Sequence, residues 1–340
     1  MHVVGATGGA EGIQHRQSGV LQAYSKHRRY NSGIVTSLMT DTDTQDAAKR
    51  IANCGLRLKL DVFQDDTEGL QERLTAARVC NHRLCPFCEW RRARVWRKRL
   101  FAGLEALQAD QPKLKPLFLT LTCRDPRLED LRDQVHEMNA AWKRLTKRRT
   151  FPSDFWFRRL EVTITSIPGG GYKAHPHFHV LLLVKPSYFS TGYISQLRWQ
   201  QMWMESARLD YAPIVDVRRA YKRSMTGGHA SSDARACVLE ASKYATKASS
   251  LLELGDALPE FASQVRGLRY YACSRPLSDY LQMGDVTAEE LLDNNLSIIP
   301  PHVPYWKCVA DWQEDIKEYL YTSVEEQGPR CPDQSSPEDC

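Results

Sequence analysis

His177 and His179 are the residues of this 340-residue chain whose type and spacing point most directly to chemistry. They sit in His175-Pro176-His177-Phe178-His179-Val180-Leu181-Leu182-Leu183-Val184, an apolar, β-branched run that reads as a strand. Side chains alternate faces along a strand, so both imidazoles point one way and Phe178 the other, giving a two-nitrogen clamp for a metal ion. A second run, Leu160-Glu161-Val162-Thr163-Ile164-Thr165, precedes it across the loop Pro168-Gly169-Gly170-Gly171, which predicts a hairpin. Glu161 can offer a carboxylate oxygen to the same ion if the register allows. Two histidines and one carboxylate with open positions form a catalytic set rather than a closed structural one. The plainer alternative is a pair of ordinary polar histidines on the solvent face of a half-buried strand. Three of the chain's ten histidines fall within five residues here, and together with the carboxylate this favours metal. His175 shares the alternation, but Pro176 disturbs the strand start, so it counts as a neighbour.

A second constellation is built from thiols. Cys85-Pro86-Phe87-Cys88 runs into a helix with the spacing of a zinc knuckle, Cys80 is a short loop away, and Cys54 can complete a tetrahedral set of four. His82 is the alternative fourth ligand. A redox Cys-x-x-Cys is the rival, but it normally stands alone after a strand, without two further cysteines nearby. No apolar run reaches membrane-spanning length and the N-terminus lacks the apolar core of a signal peptide, so the expected address is the cytoplasm, where disulfides are rare.

A third group lies in Glu240-Ala241-Ser242-Lys243-Tyr244-Ala245-Thr246-Lys247. On a helix beginning near Ser232, Glu240, Tyr244 and Lys247 share one face. Taken alone, that face would be a solvated polar stripe with a packed tyrosine.

The elements that must carry these groups follow from periodicity. A short helix over Thr44 to Asn53 leads to Cys54, and Leu56 to Phe63 alternates as a half-buried strand. From Phe87 to Leu107 a helix places Trp90, Ala93, Trp96, Leu100, Leu104 and Leu107 on one stripe, a core face, with Arg91, Arg94, Lys98 and Arg99 largely off it. Leu117 to Cys123 is a buried strand, Leu128 to Arg149 a long amphipathic helix, Tyr193 to Leu209 a helix with Trp199 and Trp203 inward, and Ile214 to Arg218 a strand. After Ser249 come an apolar helix, a strand-like Leu268 to Cys273 and a polar helix near Thr287 to Asn294, with disorder expected beyond Val324.

This order predicts an α+β fold, an antiparallel sheet with flanking helices, extended at the N-terminal side by the knuckle and its basic helix. The expected organisation is a disordered arm over 1–42, the knuckle and basic helix over 43–112, a catalytic domain over 113–275, and a helical segment with an acidic flexible tail over 276–340. The net charge of +5 understates the basic character, because the signs are segregated. Arg91, Arg92, Arg94 and Lys98 form one basic block and Lys143, Arg144, Lys147 and Arg148 a second, which nominates them as contacts to a polyphosphate such as DNA.

Together these stretches resemble the rolling-circle replication initiators of small bacterial plasmids, a branch of the HUH nuclease superfamily. The match rests on Phe118-Leu119-Thr120-Leu121-Thr122, on Leu160-Glu161-Val162-Thr163 with His175-Pro176-His177-Phe178-His179-Val180, on Glu240-x-x-Lys243-Tyr244-x-x-Lys247, and on Cys85-Pro86-x-Cys88-x-Trp90-Arg91-Arg92. It covers about residues 50 to 275. The resemblance implies the HUH palm as the catalytic fold and a nickase and strand transferase in which Tyr244 forms a 5′-phosphotyrosyl link at the plasmid origin. Lys247 eases ionisation of the phenol, and Glu240 activates the nucleophile that ends the round. It also implies a catalytic Mg²⁺ or Mn²⁺ at His177, His179 and Glu161, a structural Zn²⁺ at the cysteines, and origin DNA as partner, both supercoiled duplex and single strand. A host helicase, a polymerase and a second copy of the chain are the further expected partners. A transposase or relaxase of the same superfamily is the nearest rival. Relaxases place the tyrosine before the histidines and small transposases lack the knuckle. A non-catalytic zinc-containing DNA-binding regulator is the alternative from another class.

Overall fold

The computed structural model describes residues 18–65, 69–219, 248–281, 286, 287, 291 and 305–327. In chain order these form helices α1 (Gly19–Arg28), α2 (Asn31–Leu38) and α3 (Gln45–Ala52), strands β1 (Arg57–Asp65) and β2 (Gly69–Ala77), and helix α4 (Pro86–Asp110). Then come β3 (Lys115–Thr122), α5 (Leu131–Thr146), β4 (Phe155–Ser166), β5 (Tyr172–Val184), α6 (Gln196–Ala207) and β6 (Val215–Arg219). The described chain ends with α7 (Ala248–Glu253), α8 (Leu258–Val265), β7 (Tyr271–Cys273), α9 (Arg275–Leu281), β8 (Tyr305–Gln313) and β9 (Glu318–Gln327). The class is α+β, with every described strand pairing antiparallel. No helix among the described residues is long and apolar enough to cross a membrane.

The chain divides into two compact units, 1–91 with 286–340, and 92–285. The first is built on a four-stranded sheet ordered β2-β1-β8-β9. Leu58, Leu60 and Val62 alternate inward from β1, as the sequence period requires, and meet the inward residues Trp306, Cys308 and Ala310 of β8. Ser18 caps α1 by accepting a hydrogen bond from the Leu21 amide at 3.0 Å. The Ser25 hydroxyl oxygen accepts from the Tyr319 amide at 3.1 Å, and the Tyr319 hydroxyl donates to the Gly55 carbonyl.

Two expectations are corrected in this unit. The stretch assigned to a disordered arm contains the two helices α1 and α2, and it buries Leu21, Tyr24, Ile34 and Leu38. Its apolar residues are sparse, so composition reads as disorder; each of these four nevertheless finds a core to enter. The stretch assigned to a helical segment and flexible tail contains a hairpin from Tyr305 to Gln327, extending past the point where disorder was expected. The reason is tertiary: β8 pairs from Tyr305 to Asp311 with β1, a partner more than two hundred positions away in sequence and invisible to a local window.

The second unit is built on a five-stranded sheet ordered β6-β3-β5-β4-β7. β4 and β5 form the predicted hairpin, and Gly169, Gly170 and Gly171 all have positive φ in the connecting loop, where a side chain would be strained. One face of the sheet packs on helices: Phe178 lies against Trp203 of α6 at 6.4 Å between ring centroids, and Trp156 meets Trp142 of α5 edge-on at 5.0 Å. Within this unit α4 buries Trp96, Leu100, Leu104 and Leu107, and Trp96 stacks on Tyr271 of β7 at 4.5 Å. A Cβ at Gly103 would come within 2.7 Å of the Tyr280 carbonyl oxygen, so glycine lets α4 and α9 approach closely.

Candidate functional site

The hairpin register sets Glu161 opposite His177 and Arg159 opposite His179. On the other side of β5, β3 sets Thr122 opposite His177 and Thr120 opposite His179. All six side chains therefore share the face of the sheet that Phe178 does not. His179 Nε2 lies 3.0 Å from Glu161 Oε2 and His177 Nε2 lies 3.9 Å from Glu161 Oε1. One ligand atom from each of the three falls within 4.8 Å of the others.

The surrounding contacts orient both rings. His177 Nδ1 donates to the His175 carbonyl at 2.9 Å, which leaves Nε2 for a ligand role, and His179 Nδ1 is 3.4 Å from the Thr120 hydroxyl. Burial alone raises the Glu161 carboxyl, but the hydrogen bond to His179 and the charge of Arg159 outweigh it and hold the group at about 2. Burial lowers His177, and its neighbour His179 lowers it further. The set is thus an ionised carboxylate with neutral imidazole at His177, the protonation states a divalent cation requires. Each side chain keeps a little exposure, between 13 and 18%, so the face is open to a substrate. The donor set fits Mn²⁺ or Mg²⁺, with nitrogen ligands favouring the former.

His175 stands apart from this trio. Its Nδ1 pairs with Asp125 at 2.7 Å and its Nε2 with the Thr165 hydroxyl at 2.8 Å. Arg159 is the residue the sequence reading missed. It is fully buried and donates from Nη2 to Glu161 Oε2, the carboxylate of the trio. The signal was available: position 159 precedes 161 by two, so the same alternation that aligned the histidines puts it on the site's face.

In the first unit the four predicted thiols converge. Cys54 follows α3, Cys80 follows β2, Cys85 precedes α4 and Cys88 lies in its first turn, which Pro86 opens. Cys54 and Cys88 sulfurs are 3.5 Å apart and Cys80 and Cys88 3.7 Å. Four thiolates on a zinc ion at Zn–S of ~2.3 Å have S···S edges of ~3.8 Å, so the spacing fits. The Cys80 amide donates to Cys54 Sγ at 3.4 Å, the His82 amide to Cys80 Sγ at 3.5 Å, and Asn31 Nδ2 to Cys85 Sγ at 3.7 Å. Burial pushes the Cys85 thiol up, so four ionised sulfurs here require a counter-charge. His82 accepts the Leu84 amide at Nδ1, 3.2 Å, while Cys54 joins the cluster as the fourth sulfur.

The basic blocks divide. Arg91 and Arg92 are only 2% and 3% exposed, which corrects their assignment as DNA contacts. Arg91 Nη1 donates to the Tyr24 hydroxyl at 3.0 Å and its Nε to the Leu291 carbonyl, and its guanidinium lies 5.8 Å over Trp90. Most residues of the first turns of α4 are buried, so a one-sided helical stripe does not apply there. Lys98, Lys143 and Lys147 are exposed and Arg94 is half-buried. Arg144 donates to the Ser206 carbonyl at 2.6 Å and Arg148 pairs with Glu205 at 2.5 Å. Glu240, Lys243, Tyr244 and Lys247 lie outside the described residues.

The family model described as "Replication protein" matches residues 71–320. Curated relatives carry the name "Protein rep". One from Bacillus amyloliquefaciens is 31% identical over 298 residues, covering 80% of this chain and 84% of the relative. One from Lentilactobacillus hilgardii is 31% identical over 286 residues, covering 80% and 87%. A third, from Bacillus sp, is 34% identical over 211 residues, covering 59% and 66%. No solved structure matches the chain.

Proposed function

The chain belongs to the replication protein family, as a plasmid rolling-circle initiator should, and from that premise we propose that it nicks and closes one strand of its plasmid origin in a metal-dependent reaction. The observation that carries the proposal is the convergence of Glu161, His177 and His179 on one open sheet face. Glu161, His177 and His179 would hold a divalent cation, which would supply electron withdrawal from a non-bridging phosphate oxygen. His177 and His179 present their Nε2 atoms, and Arg159 fixes Glu161 by its hydrogen bond. By resemblance, the Tyr244 phenol loses its proton and its oxygen attacks phosphorus. A phosphotyrosyl bond forms at the 5′ end, the P–O3′ bond breaks, and the leaving oxygen takes up a proton as a 3′-OH. Lys247 lowers the cost of ionising the phenol. Glu240 acts later, accepting the proton of the water or 3′-OH that resolves the link. The diester energy is retained, so closing needs no ATP.

In this reading the cysteine cluster holds Zn²⁺ and fixes the start of α4, while Lys98, Lys143 and Lys147 contact phosphates. The test is incubation of full-length protein with supercoiled plasmid carrying its own origin, with and without Mn²⁺. Open circles and a denaturation-resistant protein–DNA adduct are expected, and both should vanish in Tyr244→Phe, in His177→Ala and in excess chelator. Full nicking in chelator, or an adduct in Tyr244→Phe, would refute the mechanism. Origin binding without any nicking would support the non-catalytic regulator.

A further inference from the structure

Arg158 on β4 points to the side of the sheet opposite Arg159 and Glu161, because neighbours along a strand alternate faces. That side is the helix-packed one. The register sets Arg158 beside Val180 and Ala272, and its guanidinium lies 3.9 Å over the Phe178 ring and 5.9 Å from the Trp142 ring of α5. Only 4% of Arg158 and 3% of Trp142 is exposed. An arginine so enclosed ordinarily meets a carboxylate, because a charge taken out of water without a partner is strongly destabilising. This one does not. Nε and Nη1 of Arg158 and Nε1 of Trp142 have no hydrogen-bond partner among the described residues. Burial pushes the guanidinium down to about 9, and the charge that lowers it further is a second cation, Arg269, with no acid acting to raise it.

Guanidinium and indole are donors only, so neither can satisfy the other. The ring faces attract the charge, but they leave these N–H groups without an acceptor. One negatively charged acceptor atom answers both side chains. The neighbours decide between anions: Phe178, Val180 and Ala272 add no polar group, so a doubly charged oxyanion would leave most of its hydration unreplaced, and a singly charged monatomic ion leaves least. We propose that Arg158 and Trp142 hold a small, singly charged anion of the halide class on the reverse of the strand that presents Arg159 and Glu161. The ion neutralises the guanidinium and accepts from the indole. The site is independent of the nicking reading.

The probe is potassium chloride, exchanged against potassium gluconate at constant ionic strength so that screening stays fixed. Gluconate is too bulky for a buried site of this kind. Full-length wild type should broaden the chlorine NMR line beyond the broadening given by Arg158→Met. Chloride at about ten times its dissociation constant should raise the wild-type melting temperature by roughly 3 °C, and Arg158→Met should lose this response as well. Trp142→Phe keeps a ring and removes the Nε1 donor, so it should weaken chloride binding roughly tenfold. Equal line broadening in wild type and Arg158→Met overturns the proposal. So does a melting temperature lowered by the same amount in Arg158→Met with and without chloride, which would leave the guanidinium acting through the two rings alone. Should Arg158→Met fail to fold, Trp142→Phe decides: a tenfold loss of chloride affinity supports the site, and an unchanged affinity overturns it.

Discussion

Arg159 and His27 show how single side chains set the electrostatics of the two units. Arg159 is fully buried and donates to Glu161 Oε2, so it holds the carboxylate while the second oxygen faces His177. Lysine keeps the charge but not the planar fork. Arg159→Lys should therefore slow nicking by roughly 10- to 100-fold, the range for losing a contact behind a metal ligand, with unchanged far-ultraviolet circular dichroism. Nicking at the wild-type rate would make Arg159 a packing residue. His27 stacks on Trp90 at 4.7 Å, and burial, reinforced by the charges of Lys26 and Arg29, lowers it to about 4. Its folded value is depressed, so the unfolded chain takes up a proton first as the medium is acidified. The stability it contributes is complete above about 6.5 and is lost as pH falls from there towards 4. Urea denaturation across that window should show the fall in wild type and a flatter curve in His27→Gln.

The hairpin, the strand before it and both flanking helices were legible in the sequence because each buries one face and so shows its period. Phe178 inward and His177 and His179 outward is that period written in three residues. The same logic located the cysteines, since a helix opened by Pro86 delivers Cys88 three residues after Cys85. Illegible features were those fixed by distant partners: the burial of Arg91 against Tyr24 and Leu291, the capture of α1 and α2, and the pairing of β8 with β1. At this scale α4 is the element that the proposed zinc would support most, because Cys88 in its first turn lies against Cys54 and Cys80. Elemental analysis of protein purified without added metal should find one zinc per chain. Cys85→Ser should lose it and lower the melting temperature, with a smaller loss of cleavage on a short single-stranded substrate. Metal-free protein with the wild-type melting temperature would remove the structural role.

At the scale of the molecule, the first unit is made from both ends of the described chain, and its inner strand β1 hydrogen-bonds β2 on one side and β8 on the other. A chain stopped after residue 304 would keep β2 and leave the opposite edge of β1 unpaired and its inward residues Leu58, Leu60 and Val62 uncovered. Such a chain should be recovered in aggregates, as an open apolar edge predicts, and should be rapidly degraded by added protease. Recovery as a monomer resistant to protease would show that β8 and β9 are dispensable. The arrangement also imposes an order on synthesis. The cysteines are all present once Cys88 has left the ribosome, whereas the strand that completes the sheet emerges on the order of 10 to 40 s later at bacterial elongation rates. For that interval the newborn half-unit has its thiols but not its sheet. With zinc at the thiols as proposed, its capture by the growing chain would serve as a temporary clamp, and zinc starvation would be felt by ribosome-bound chains before it reached the finished protein.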